Sequence, residues 1–193
     1  MNAKQTAAVG IVIAFVAIIF VASAYAGLLS GTQSATSQPD LSSAVHASLG
    51  GTADAGTVSL RLDRISDASD PATNAAWIAL NREANDAIYL YNYSLTPPPG
   101  DRYLVATVTV TNLQSTEVPF SYPDFVLMAR DNSSYYPNYA VCNASCAASA
   151  LENSTLTGSS TNDLLVLFSV PAAAQPAGLA YTGSSPPVVM AAT

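Results

Sequence analysis

No Asp, Glu, Lys or Arg stands between Lys4 and Asp40, and within that span residues 7–29 are apolar apart from Ser23, Tyr25 and two glycines. Wound as a helix, such a run is about 34 Å long, enough to cross a bilayer core of about 30 Å. With Lys4 on one side and every acidic residue on the other, the charge bias points the N-terminus inward and the rest of the chain outward. Three readings stay open. The run is the end of a secretory signal peptide cut after Ala24-Tyr25-Ala26, a permanent membrane anchor, or the core helix of a surface filament. Small residues at Gly10 and Ala14, and again at Ala22 and Ala26, have the spacing that lets apolar helices approach closely.

Charge narrows the partners. Lys4 is the only lysine, so the part beyond the apolar run sets its arginines against 13 acidic residues. A surface this acidic excludes nucleic acid as a partner. Charged residues are only 10% of the chain, and its polar surface comes mainly from Ser, Thr, Asn, Gln and Tyr.

The stretch AAVGIVIAFVAIIFVASAYAGLLSGTQS resembles the N-terminal helix of archaeal type IV filament subunits, the archaellins and pilins, in its Ile/Val run, its Ala-Phe-Val centre and its Ala/Ser-rich end. The resemblance implies a helix that sits in the membrane before assembly and then packs among its own copies. Gly10, Ala14, Phe15, Ala17, Phe20, Ala22 and Ala26 are the expected packing residues. The residues before the helix depart from the family's processing motif, which has a basic and a small residue there, since Lys4 is followed by Gln5 and Thr6.

Beyond residue 30 the chain is rich in small polar residues. Leu41, Val45 and Leu49 fall at i, i+4 and i+8, and Gly50-Gly51 would end a helix there, so this segment reads as a continuation of the first helix. A flexible linker is the alternative. His46, the single histidine, has no Cys, Asp or Glu beside it and is a poor candidate for a ligand or base.

After residue 56 the period changes to two. TVSLRLDRI, AIYLYNY, RYLVATVTVTN, FVLMAR and DLLVLFSVP read as strands, followed by GLAYTG and PPVVMAA, with breaks at Pro97-Pro98-Pro99-Gly100, Asp131-Asn132 and Pro171. Short strands with turn chemistry between them indicate an antiparallel sandwich. Residues 100–181 also resemble small extracellular immunoglobulin-like domains, through GDRYLVATVTVTN, DFVLMARDNSSYY and STLTGSSTNDLLVLFSVP leading into GLAY. That resemblance implies architecture and leaves activity open.

Cys142 and Cys146 are the only cysteines and enclose three residues, a spacing suited to a local disulfide in an oxidising compartment, with free thiols the alternative. Sequons begin at Asn92, Asn132, Asn143 and Asn153. No phosphate-binding glycine loop, nucleophile–histidine pair or metal spacing is present, so neither enzyme nor cofactor is expected. Asp63, Asp67 and Asp70 read as a solvated acidic loop before a calcium site, and Trp77, Tyr89, Tyr91 and Tyr93 as packing residues before a sugar platform.

The expectation is an α+β protein: a long N-terminal hydrophobic α-helix with its polar continuation over residues 1–50, then an antiparallel immunoglobulin-like β-sandwich over 51–193. Its expected function is that of a structural subunit of an extracellular archaeal pilus or archaellum-like filament for adhesion or motility. It would be a helical homopolymer, membrane-inserted before assembly, touching a surface layer or host surface. The alternative is an anchored or secreted immunoglobulin-like binding module, and for the secreted form the C-terminal PPVVMAAT is a candidate donor strand.

Overall fold

The structure is a computed structural model that describes residues 39–84, 97–142, 146–147 and 154–193. The chain divides into two units, residues 1–32 and 33–193, and all described residues belong to the second.

Two five-stranded sheets face each other. Sheet A has the order β1 (Val45–Ala47), β13 (Val188–Ala191), β12 (Pro176–Tyr181), β6 (Phe125–Ala129), β7 (Ser134–Tyr135). Sheet B has the order β2 (Thr52–Ala55), β3 (Val58–Asp67), β4 (Asp101–Asn112), β11 (Thr161–Pro171), β8 (Tyr139–Cys142). A small third sheet joins β5 (Val118–Phe120), β10 (Ser154–Leu156) and β9 (Cys146–Ala147). The single described α-helix is α1 (Pro71–Ala84).

Strands β3, β4, β6 and β11 form where the sequence reads as strand, whereas β1, β2, β5 and β7 to β10 are not among the strands expected from it. Leu104, Ala106, Val108 and Val110 of β4 point inward and meet Leu164, Val166, Phe168 and Val170 of β11 and Phe125, Leu127, Leu179 and Met190 of sheet A in one buried core. Burying each large side chain there contributes about 1.5–3 kcal/mol. β4 and β11 pair antiparallel from Asp101↔Pro171 to Thr111↔Thr161, forming the centre of sheet B.

Both outer faces are partly covered. On sheet B, Trp77 of α1 packs with Ala68, Val105, Val141, Leu165 and Leu167. On sheet A, Leu41 and Ala44 lie against Val126, Ala180 and Val189.

These observations correct the expected α+β class. The described residues form a β-sandwich with one helix of 14 residues. Among them no helix is long and apolar enough to cross a membrane. The helix expected over residues 6–29, with Gly10, Ala14, Phe15, Ala17, Phe20, Ala22 and Ala26, lies outside the described residues, as does the strand expected at 87–93.

The expected helical continuation to residue 49 is also corrected. Asp40 accepts the Ser42 N–H at 3.0 Å in a local turn. The Val45 N–H then donates to Pro187 O at 2.8 Å, and β1 runs parallel to β13. Val45 and Leu49 stay 38% and 41% exposed, so the spacing that looked like a helix stripe buries no stripe. Residues 45–47 therefore belong to the sandwich, and the β1–β13 pair makes sheet A mixed where an antiparallel sheet was expected. The C-terminal strand, considered as a donor for another copy, is paired on both sides within its own domain, with Val188 and Met190 fully buried.

Candidate functional site

Among the described residues, the outer face of sheet B holds an ordered array of polar side chains. On β4 the outward residues after Val105 are Thr107, Thr109 and Thr111, whose neighbours on β11 are Leu165, Asp163 and Thr161. On the other side stands β3, where the register shifts between Leu62 and Arg64. The shift is a bulge at Asp63, and it changes which side chains face outward. Simple alternation from Leu60 and Leu62 would send Arg64 into the core. With one residue inserted, Arg61 pairs with Thr109 and Arg64 with Thr107, and both arginines are exposed.

The hydrogen bonds knit three strands together. Arg61 Nε donates to Asp63 Oδ1 at 2.6 Å and its Nη2 to Thr109 Oγ1 at 3.1 Å. The Thr109 hydroxyl in turn donates to Asp63 Oδ2 at 2.8 Å, and Asp163 Oδ1 lies 3.3 Å away. Arg64 Nε reaches Thr107 Oγ1 at 3.4 Å, and the Thr111 and Thr161 hydroxyls meet at 3.1 Å. The Arg61–Asp63 ion pair is open to water and adds little stability. Its consequence is geometric, because two guanidinium groups, two carboxylates and a row of hydroxyls are held on one face of the sheet. Such a face offers donors and acceptors to a polar partner.

The three aspartates considered for calcium have separate tasks. Asp63 belongs to the network on sheet B. Asp67 accepts the Ser69 N–H at 2.9 Å, which holds its carboxyl below the usual range, and receives Arg102 Nη1 at 3.4 Å. Asp70 caps α1: its carboxylate accepts the Thr73 hydroxyl at 2.7 Å and the Thr73 N–H at 2.9 Å, and these bonds lower its pKa. Among the described residues no group of His, Cys, Asp and Glu is arranged to hold a metal ion.

Trp77 is 1% exposed beneath α1, edge-on to Tyr139 with ring centroids 6.0 Å apart, and it presents no platform to solvent. Sequence reasoning passed over α1 although its start is legible in Asp70-Pro71-Ala72-Thr73: a capping carboxylate, a proline at the first helical position, and then Ala75, Ala76 and Ala79. His46 is exposed on β1. Cys142 is buried at the end of β8 and disulfide-bonded, in a chain with one other cysteine, Cys146, which opens β9. Asn132 is exposed in the β6–β7 turn, whereas Asn92, Asn143, Asn153, Tyr89, Tyr91 and Tyr93 lie outside the described residues.

At the end of the sandwich, Asn112 organises the loops that the sequence marked only as a strand end. Its buried Nδ2 donates to Thr116 O at 2.8 Å and to Leu156 O and Thr157 O at 3.0 Å, while its Oδ1 accepts the Gln114 N–H. Gly158 lies so close that a Cβ would come 2.2 Å from Ser115 O. Nearby, Phe120 stacks on Tyr181 at 5.5 Å, and burial raises the pKa of both the Tyr181 phenol and the Asp124 carboxyl.

No family model matches the chain, and no curated protein matches it. Among solved structures it is similar to an uncharacterized β-sandwich protein from Clostridium difficile 630, at 11% identity and a TM-score of 0.48, over 81% of this chain and 100% of that one. It is also similar to a candidate lipoprotein from Bacillus subtilis subsp. subtilis strain 168, at 13% identity and a TM-score of 0.37, over 67% of this chain and 32% of that one. Likeness this distant carries nothing about function.

Proposed function

We propose that this chain is a non-enzymatic cell-surface protein: a β-sandwich displayed outside the membrane, held there by the apolar segment 7–29, with the outer face of sheet B turned to a polar surface-layer or host-surface partner. The observation that carries the reading is the network of Arg61, Asp63, Arg64, Thr107, Thr109 and Asp163, ordered for contact on the outer face of sheet B. The charge pattern on either side of segment 7–29 sets the direction in which the sandwich is displayed. Protease treatment of intact cells, followed by carbonate extraction of their membranes, tests it. Cleavage of the sandwich from outside and an alkali-resistant membrane residue are expected; a chain protected from protease sinks the reading.

A second reading is a subunit of an extracellular filament polymerised through the same apolar segment. It is favoured by the close-packing spacings of Gly10 with Ala14 and Ala22 with Ala26. Electron microscopy of material sheared from the cells separates the two. Filaments made mainly of this chain would replace the anchored reading, and sheared material without it would exclude the filament.

A further inference from the structure

Asn132 sits at the tip of the β6–β7 turn with a φ of 66°. Its N–H donates to Ala129 O at 3.1 Å, the Ala129 N–H donates to Ser133 O at 2.9 Å, and the Asp131 carboxylate accepts the Ser133 N–H at 3.0 Å. Asparagine tolerates this left-handed backbone better than most residues, so the turn by itself accounts for Asn132. It does not account for Ser134. That residue is 8% exposed on β7, and its Oγ has no hydrogen-bond partner. A buried hydroxyl left unpaired is a net loss to the fold, where alanine would fill the place without that loss. The side-chain amide of Asn132, meanwhile, is exposed and makes no hydrogen bond among the described residues.

We infer that Asn132 is an N-glycan acceptor that is modified before the β6–β7 hairpin closes, and that Ser134 is present for the transferase and not for the fold. The inference rests on the cell-surface reading, which places the chain where such transfer occurs. In Asn132-Ser133-Ser134 the enzyme recognises the hydroxyl two residues after the acceptor. In the folded domain the acceptor is open and that hydroxyl is covered, so recognition must come before β7 docks on β6. The amide Nδ2 of Asn132 bonds to the anomeric carbon of a lipid-phosphate-linked glycan. The bond from that carbon to the phosphate oxygen breaks, the lipid phosphate leaves with the electron pair, and the amide gives up one proton.

The test maps the peptide spanning residues 129–135 by mass spectrometry in chain purified from producing cells. Intact cells are treated with protease in parallel. A glycan on Asn132 is expected, lost in both Asn132→Gly, which keeps the left-handed turn, and Ser134→Ala. The unmodified Ser134→Ala domain is expected to melt no lower than unmodified wild type. Membranes from the same cells, supplying transferase and donor, should modify a synthetic peptide of residues 129–136 and leave the folded unmodified chain untouched. Equal modification of the folded chain overturns the order of events. An unmodified Asn132 on a chain that protease strips from intact cells overturns the site but leaves the surface reading standing, and a chain that protease cannot reach overturns both.

Discussion

The outer face of sheet B is two surfaces built on the same strands. At one end, Val105, Leu165 and Leu167 lie under α1 against Trp77. At the other, Thr107, Thr109 and Thr111 are half-buried and Thr161 is exposed, and their hydroxyls bond to Arg64, to Arg61 and Asp63, and to one another. The change falls within single strands, between Val105 and Thr107 on β4 and between Leu165 and Asp163 on β11. Outward positions on a sheet therefore record where a covering element ends, because an uncovered valine or leucine is poorly hydrated and a covered hydroxyl loses its partners. The covered half is the part that stabilises the domain, and the open half is free to carry contact with a partner.

Removing the cover is the strongest way to break this comparison. Trp77→Ala is expected to cost about 3–5 kcal/mol in urea unfolding, since the indole fills the space between α1 and three strands. A loss under about 1 kcal/mol would mean that the two halves do not differ in kind. Exchanging the chemistry of the halves sharpens the point. Val105→Thr places an unpaired hydroxyl under the helix and is expected to cost about 1–3 kcal/mol, whereas Thr107→Val on the open half changes stability by about 0.5 kcal/mol or less.

Two carboxylates with opposite shifts extend the comparison to pH. Asp70 is lowered by its bonds to Thr73, so its contribution is present above the ordinary carboxylate value and is lost as pH falls through the folded value. Asp70→Ala should lower the melting temperature at pH 7, and Asp70→Asn, which still caps, should restore most of it. Asp124 is raised by burial, so its contribution is present below the ordinary value and is lost as pH rises through the folded value. Asp124→Asn should consequently raise the melting temperature at pH 7 and flatten its decline with rising pH. The smallest effect is expected for Thr109→Ala, about 0.5 kcal/mol or less because the network is solvated, with far-ultraviolet circular dichroism unchanged. If the wild-type chain binds a cell surface as proposed and this variant binds it equally well, the open half is not the contact face.

Much of this was legible in the sequence. The period-two run from Tyr103 to Thr111 marks β4 and already shows the change from Val105 to threonine. The proline- and glycine-containing breaks fall where strands end, and the cap of α1 can be read from Asp70, Pro71 and Thr73. The bulge at Asp63 was only half legible: VSLRLDRI alternates until Asp63-Arg64 puts two polar residues in succession, and the pairing with β4 shows that this break is an inserted residue and not a strand end. Strand β1 was not legible, since apolar residues at helical spacing were drawn into a parallel pair.

Within the regular strands, what the sequence determined by itself is which side chains share a face, because alternation and turn residues act over a few neighbours along one chain. Which backbone receives each N–H was decided by tertiary structure. Val45 satisfies its amide on Pro187, more than 140 residues away, and Arg64 faces outward only because β3 must stay in register with β4 across the bulge. A hydrogen-bonding group near the surface of a sheet must find a partner, and local pattern does not specify which distant strand supplies it.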